Sequence, residues 1–247
     1  MRGNVFDGYS TQQKLLRTYP IISFIIIGLT IMIINGYFLR SLQIYIIVIL
    51  LLISCYMFCN IVYTVFQLNF YDPGYVQILH EEAQKDDETL FCVLCDSSRP
   101  PRSHHCKTCN RCVLAMDHHC YVFNTCISHY SYGYFIKFLF CAGLFLIYSS
   151  WLVIPGLIFA IKNARVDVRY LIEAIITVII VFFVNIFGIS VMSLIFGMGW
   201  FPICKGKTTI DILQKHPGTQ QSVKDNLREY LGRNYFLRFL VIGIKMQ

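Results

Sequence analysis

The chain has 247 residues, a formal net charge of +7, 56% hydrophobic residues and only 14% charged residues. This composition excludes a water-soluble globular protein of this size. The positive charge fits membrane topology and attraction to anionic lipid, and we expect no nucleic acid partner. Four apolar runs, each about as long as the ~20 residues that a membrane-spanning helix needs, lie at 20–39, 42–68, 135–161 and 170–200. We therefore predict an α-helical integral membrane protein with four transmembrane helices.

The distribution of Lys and Arg predicts how the chain is oriented. Residues 1–19 form a polar tail, and the first run lacks the small-residue cleavage site of a removable signal peptide. This tail, the central segment 69–134 and the C-terminal segment 201–247 together carry sixteen Lys and Arg residues, against four in the connections on the other side. Positive charge marks the cytosolic side. We expect both termini and the central segment in the cytosol, in an endomembrane (ER or Golgi) or the plasma membrane.

Local signals place breaks and one further helix along the chain. Asp72-Pro73-Gly74 is a turn-forming triplet that ends the second helix, and Pro155-Gly156 should bend or end the third near its outer end. In the C-terminal segment, residues 222–242 place apolar side chains such as Val223 and Tyr230 on one face. This pattern predicts an amphipathic helix in the membrane interface or against the cysteine-rich stretch 91–126. We predict no internal repeat.

The most informative stretch is residues 91–126, which hold seven of the eleven cysteines and four of the seven histidines. Cysteines in a reducing cytosol stay available to metal, and C-x-x-C spacing is typical of tetrahedral zinc sites. With few apolar residues to form a core, the stretch must obtain much of its stability from metal. Two zinc sites need eight ligands, and the stretch offers eleven candidates: Cys92, Cys95, Cys106, Cys109, Cys112, Cys120, Cys126, His104, His105, His118 and His119.

Spacing alone does not assign these candidates. Cys92 and Cys95 make one chelating pair, and either Cys106 with Cys109 or Cys109 with Cys112 makes another. Neither the ligating histidines nor the free cysteine can be chosen this way. One interpretation is a plain zinc finger whose surplus residues are incidental.

The more specific interpretation is a cysteine nucleophile in a segment whose backbone is fixed by bound metal. Asp117-His118-His119-Cys120 offers a carboxylate, an imidazole and a thiol within four residues. A thiol is a useful nucleophile only as the thiolate, and a neighbouring imidazole can accept its proton. A carboxylate can hold that imidazole in the required tautomer, as in a Cys-His-Asp triad.

These residues resemble the DHHC cysteine-rich domain of protein S-acyltransferases, also called palmitoyltransferases. The match includes residues 91–126, with the basic element Arg99-Pro100-Pro101-Arg102. Asp72-Pro73-Gly74 is similar to the family's DPG motif, and Thr208-Thr209-Ile210-Asp211 resembles its TTxE motif. A small cytosolic zinc-bound domain between helices 2 and 3 is also the layout of the family.

The resemblance implies a role for most of the candidates. It implies that Cys120 is the nucleophile that carries the acyl intermediate, that His118 is its general base, and that Asp117 orients His118. His104 has no assigned role. The implied zinc ligands are Cys92, Cys95, His105 and Cys112 at one site, and Cys106, Cys109, His119 and Cys126 at the other.

The implied activity is a two-step protein S-palmitoyltransferase with two structural zinc ions. Cys120 takes a long-chain acyl group from acyl-CoA, such as palmitoyl-CoA, and passes it to cytosolic juxtamembrane cysteines of membrane-associated proteins. The expected partners are therefore the lipid bilayer, acyl-CoA and protein substrates, and the sequence leaves an accessory subunit open.

The sequence departs from the family pattern at three places, and the altered residues after Cys120 motivate an alternative hypothesis. Tyr121-Val122 replaces the Pro-Trp that usually follows the nucleophile, Asp211 replaces Glu, and Ser131 stands where the family has Asn. The alternative is a zinc-binding membrane scaffold that has lost turnover. A transporter is a weaker third hypothesis, since no paired broken helices or charged pathway are evident.

Overall fold

The structure is a computed structural model and describes residues 11–77 and 91–232. Within this described part, four helical stretches are long and apolar enough to cross a membrane, which confirms the predicted fold class. These stretches are α1 Thr11–Phe38, α2 Ile44–Phe70, α3 Tyr132–Leu152 together with the ten-residue α4 Ile154–Asn163, and α5 Val168–Lys205. Two short helices follow, α6 Thr209–Leu213 and α7 Val223–Leu231.

The helix bounds differ from the apolar runs for local reasons. Helix α1 begins at Thr11, not at residue 20, because the Gln, Lys, Leu and Arg residues that precede the apolar run are good helix formers. The third run is interrupted at Val153, and Pro155 lies in the first turn of α4, where its missing N–H costs no hydrogen bond. Helix α5 continues to Lys205 before Gly206 adopts a left-handed conformation.

Between α2 and α3 the chain forms three antiparallel hairpins. The first pairs β1 Phe91–Cys92 with β2 Ser97–Ser98, the second pairs β3 Ser103–Cys106 with β4 Arg111–Leu114, and the third pairs β5 Met116–Cys120 with β6 Thr125–Ser128. Each hairpin closes through a four-residue loop. The last loop residue has positive φ in all three: Asp96, Asn110 and Asn124. Asp and Asn are the non-glycine residues that tolerate this conformation best.

The hairpins reveal a fourteen-residue repeat, so the prediction of no internal repeat was wrong. Cys92, Cys106 and Cys120 each end the first strand of their hairpin and are spaced fourteen residues apart. Their cross-strand partners are Ser97, Arg111 and Thr125, in the same register each time.

The described chain divides into two compact units. One, called here the hairpin unit, contains the three hairpins, the helix ends that flank them, and α6 and α7. One buried cluster in it consists of Cys106, Cys109, Val113, Met116 and Cys126. The other contains the apolar middles of the long helices together with α4, and an open apolar groove of 180 Å³ runs between α3 and α5. In this unit, the buried Asn35 donates to Ser149 at 3.3 Å.

Candidate active site and metal centres

Two quartets of Cys and His side chains converge in the hairpin unit, and each could hold a metal ion. The first is Cys92, Cys95, His105 and Cys112, and the second is Cys106, Cys109, His119 and Cys126. Within each quartet the potential ligand atoms all lie within 4.8 Å of one another. These are the same two groups that the family resemblance implies.

The spacing of the donor atoms fits a tetrahedral metal. Sγ of Cys95 lies 3.2 Å from Nδ1 of His105, and in the second quartet Nδ1 of His119 lies 3.5 Å from Sγ of Cys106 and of Cys109. A tetrahedron with metal–sulfur bonds of about 2.3 Å and metal–nitrogen bonds of about 2.0–2.1 Å has edges of about 3.5–3.8 Å. Three thiols and one imidazole also make a common structural zinc donor set.

Strand alternation explains why the two quartets interleave along the chain. Successive side chains of a strand point to opposite faces, so β3 delivers His105 to the first quartet and Cys106 to the second. Directly across the hairpins, His105 pairs with Cys112 and His119 pairs with Cys126. Each quartet therefore joins the loop thiols of one hairpin to a cross-strand His–Cys pair of the next.

The same geometry leaves Cys120 outside both quartets. Cys120 occupies the position in the third hairpin that Cys92 and Cys106 occupy in the first two. The second thiol of the loop is missing, because Phe123 stands where Cys95 and Cys109 stand in their loops. Phe123 is instead buried and contacts Phe135 of α3. Cys120 thus occupies the position of a metal-binding cysteine but lacks the second thiol that would chelate a metal with it.

An acid–base pair lies next to this cysteine. Because side chains two residues apart share a face, His118 lies on the Cys120 side of β5 while His119 faces the metal quartet. The register of the hairpin shifts between Met116 and His118, and such a bulge re-aims the side chain within it. That residue is Asp117, whose Oδ2 lies 2.7 Å from Nδ1 of His118.

The charge balance at the site favours a reactive thiol. Burial alone would lower the pKa of the His118 imidazole, but hydrogen bonds with Asp117 and Cys120 raise that pKa to about 9. Burial raises the pKa of the Cys120 thiol. The hydrogen bond with His118 and the backbone N–H groups of Phe123 and Val122 outweigh that effect, so the pKa lies below its ordinary value.

Helix α6 holds Asp117 from the opposite side. The backbone N–H of Thr209 donates to Oδ1 of Asp117 at 2.5 Å, and the Thr209 hydroxyl donates to Oδ2 at 3.1 Å. Asp117 is only 5% exposed, so these donors replace water around its carboxylate. The TTxE-like segment therefore belongs to the site, although the sequence places it about ninety residues away.

The rest of that segment fixes α6 in place. Thr208 and Asp211 form a capping box: the Thr208 hydroxyl accepts from Asp211 N–H at 3.1 Å, and the Asp211 carboxylate accepts from Thr208 N–H at 2.8 Å. Arg102 donates twice to the same carboxylate, at 2.6 and 3.3 Å. Burial raises the pKa of Asp211, but the hydrogen bond from Arg102 and that from Thr208 lower it overall. Asp in place of Glu is thus long enough to reach its partners.

The DPG-like motif anchors the second quartet. Oδ1 of Asp72 accepts the backbone N–H groups of Gly74 and Tyr75 at 2.9 and 3.0 Å. Gly74 has φ +89°, and a Cβ there would lie 2.5 Å from the ring of Tyr130, so only glycine fits. The turn lays Tyr75 along β4 opposite Val113, and its hydroxyl lies 3.6 Å from Sγ of Cys109. Pro73 accepts a hydrogen bond from Ser128.

Helix α7 packs next to the end of the third hairpin, which agrees with one of the two placements expected for it. Tyr230 is buried and its ring stacks edge-on against that of His129, with centroids 4.4 Å apart. Asn226 is fully buried and donates to the carbonyl of Cys204. The predicted face was partly wrong, because Val223 is 51% exposed. Residues 233–242 of the predicted helix lie outside the described residues.

Other candidates fall outside the quartets or were missed. His104 is in neither quartet, and burial together with Arg99 lowers the pKa of its imidazole. Ser131, which stands where the family has Asn, accepts from the N–H of Ser128 and donates to the carbonyl of Cys126. Sequence reasoning gave Arg17 only a topological role, yet it is 1% exposed and hydrogen-bonded within the hairpin unit.

Comparisons with known proteins agree with this arrangement. A family model described as DHHC palmitoyltransferase matches residues 85–216. "Probable protein S-acyltransferase 16" of Arabidopsis thaliana is 28% identical over 158 residues, covering 58% of this chain and 53% of the relative. "Palmitoyltransferase ZDHHC16" of Homo sapiens is 46% identical over 80 residues, covering 32% and 20%. "Palmitoyltransferase ZDHHC15" of Xenopus laevis is 29% identical over 157 residues, covering 59% and 44%. The chain thus spans about half or less of the length of these curated relatives.

Proposed function

The chain belongs to the DHHC palmitoyltransferase family, and from this premise we propose that it is a protein S-acyltransferase. It would move a long-chain acyl group from acyl-CoA to Cys120 and then to a cysteine of a membrane-associated protein. The observation that carries the proposal is the position of Cys120. It is the one thiol of the hairpin strands and loops outside both quartets, and it shares a face of β5 with His118. The imidazole of His118 is held by Asp117 and lowers the pKa of the Cys120 thiol against the effect of burial.

In the first step His118 accepts the proton of Cys120, and the thiolate attacks the carbonyl carbon of the acyl-CoA thioester. The tetrahedral intermediate collapses by breaking the bond from carbon to the CoA sulfur. The CoA thiolate leaves and takes the proton from His118. Asp117, through Nδ1 of His118, keeps the ring oriented and stabilises its charged form.

In the second step a substrate cysteine repeats this chemistry in the opposite sense. His118 accepts the proton of the substrate thiol, the new thiolate attacks the acyl-Cys120 thioester, and Cys120 leaves and is reprotonated. Each step exchanges one thioester for another, so neither requires an external energy source. Thr209 contributes by holding Asp117 with two hydrogen bonds.

We propose that each quartet holds a structural zinc ion. The donor set and the donor spacing fit the metal. Bound zinc would supply folding free energy to three short hairpins, in which the cluster around Cys106 and Cys126 is small. The position of Cys120 next to His119 makes the placement of the nucleophile dependent on the second quartet.

The four apolar helices suit an acyl-CoA substrate, because its acyl chain is itself apolar. Transfer of an acyl chain out of water gains ~0.8 kcal/mol per CH₂, so an enzyme for long acyl chains benefits from lying in a bilayer. With the orientation that the Lys and Arg distribution predicts, the hairpins and both termini face the cytosol, where acyl-CoA and substrate cysteines meet.

Autoacylation tests this proposal. Purified, zinc-loaded protein is incubated with a palmitoyl-CoA analogue, and hydroxylamine-sensitive label is followed in wild type, Cys120→Ser and His118→Ala. We expect no label on Cys120→Ser and a rate at least ~10²-fold lower on His118→Ala, the usual contribution of a general base. Absence of label on well-folded wild-type protein would reject the enzyme and leave the zinc-binding scaffold.

A further inference from the structure

We propose that Arg17 is a positioning residue for the nucleophile: it holds the third hairpin at the base of the loop that follows Cys120. Arg17 lies in α1 just before the apolar run, in the same compact unit as the hairpins. Its side chain is 1% exposed, which is rare for an arginine and requires specific partners. The reading of this clamp as part of a catalytic site rests on the proposed function.

The contacts of Arg17 reach three separate parts of the unit. Nη1 donates to the carbonyl of Asn69 at 3.2 Å, in the last turn of α2. Nη2 donates to the hydroxyl of Tyr75 at 2.9 Å and to Oγ1 of Thr125 at 2.9 Å. Tyr75 in turn reaches Sγ of Cys109 in the second quartet. One guanidinium therefore ties α2, the DPG-like turn and the third hairpin together.

Thr125 is the contact that matters for the nucleophile. It is fully buried, it is the first residue of β6, and it pairs directly with Cys120 across the hairpin. A four-residue loop separates the two, ending at Asn124 in the left-handed conformation. Holding the Thr125 side chain therefore fixes one end of a short loop whose other end is Cys120.

The repeat shows why the third hairpin needs such a clamp. The loops of the first two hairpins each give two thiols to a quartet, Cys92 with Cys95 and Cys106 with Cys109. A bound metal would lock those loops, but the third loop has Phe123 in place of the second thiol. Packing of that ring holds one side of the loop, and the charge-assisted hydrogen bond from Arg17 holds the other.

The test compares Arg17→Gln with Arg17→Lys in the zinc-loaded full chain, with Arg169→Gln as the matched control. Arg169 carries the same side chain but is 88% exposed. Amide hydrogen exchange measured by mass spectrometry reports the local stability of the hairpins and does not require enzymatic activity. In Arg17→Gln we expect amides of residues 121–125 to exchange at least ~10-fold faster, the size of one charge-assisted hydrogen bond. The exchange rates of residues 91–98 should be unchanged, and Arg17→Lys should recover part of the protection from exchange at residues 121–125.

Autoacylation kinetics separate positioning from general instability. In Arg17→Gln the rate constant at saturating palmitoyl-CoA should fall ~10-fold while the KM for palmitoyl-CoA stays at the wild-type value. Wild-type exchange and wild-type rates would overturn the proposal. If Arg17→Gln does not fold or loosens all three hairpins, Thr125→Val decides, since it removes only the hydroxyl that Arg17 contacts. Faster exchange confined to residues 121–125 supports the clamp, and wild-type exchange overturns it.

The two proposals can fail separately. If wild-type protein takes no acyl label, the proposed enzyme function fails, whereas the exchange measurement still tests whether Arg17 holds the third hairpin. If wild-type protein takes label and Arg17→Gln behaves like wild type in both assays, the function stands and the role of Arg17 is rejected.

Discussion

The ion pair of Arg102 with Asp211 should be the strongest single interaction that stabilises α6. The coupling energy of the two residues can be estimated from the structure. The two hydrogen bonds are 2.6 and 3.3 Å long, and the side chains are 20% and 3% exposed. Net contributions of hydrogen bonds between charged groups are about 1.5–3 kcal/mol. We therefore predict a coupling of about 2 kcal/mol between the two residues, equivalent to a factor of about 30 in local opening of α6.

A double-mutant cycle measures this coupling. Arg102→Gln, Asp211→Asn and the double variant are compared by hydrogen exchange over residues 208–213, where Thr209 N–H is bound to Asp117. Each single variant should exchange about 30-fold faster than wild type, and the double variant should be little worse than either single. The reason is that either change alone removes the whole ion pair.

The exposed pair of Asp167 and Arg169 provides the control. These side chains approach to 2.9 Å but are 32% and 88% exposed, so their coupling should stay within about 0.5 kcal/mol. Additive effects of Arg102→Gln and Asp211→Asn would refute the reasoning, because they would mean that the two side chains stabilise α6 independently.

Three further predictions concern pH, the support of the acid–base pair and the metal sites. The pKa of Asp211 is lower in the folded chain than in the unfolded chain. The stability that ionised Asp211 gives to α6 is therefore complete above about pH 5 and is lost as the pH falls below about 4. The difference in hydrogen-exchange rate between wild type and Asp211→Asn should narrow over that range, and a difference that stays constant would contradict this prediction. Thr209→Val removes the hydroxyl donor to Asp117 but keeps the N–H, and should lower the autoacylation rate ~10-fold without loss of metal; an unchanged rate would exclude this support. Cys126→Ser should release one of two zinc ions and abolish autoacylation, whereas Cys120→Ser should retain both ions, as measured by metal analysis of the purified proteins; metal loss from Cys120→Ser would place that thiol in a quartet.

The hairpin unit shows how far a sequence can be read. Motif resemblance grouped the eight quartet residues as the structure does, although spacing alone left the pairing of Cys106, Cys109 and Cys112 open. The repeat was missed because the first copy is degenerate. It has Phe91 and Ser98 where the later copies have a histidine and a cysteine, and only the shared register of the hairpins makes the correspondence visible.

Long-range contacts account for most of what the sequence could not predict. Nothing in the local pattern around Arg17 distinguishes a buried clamp from an ordinary cytosolic charge, since its partners lie up to 108 residues away. The amphipathic pattern of α7 likewise predicted a buried Val223. The packed face keeps Tyr230 of the predicted face and adds Asn226, and both contact groups in other elements.

The measurement that tests the central claim most directly is the site of acylation in a single turnover. Zinc-loaded protein is mixed with palmitoyl-CoA, released CoA is counted, and the acylated peptide is identified by mass spectrometry. We predict one CoA released per chain and one hydroxylamine-sensitive acyl group on Cys120, with the quartet cysteines unmodified. Acyl groups on Cys204 or on a quartet cysteine, or CoA release that persists in Cys120→Ser, would contradict it.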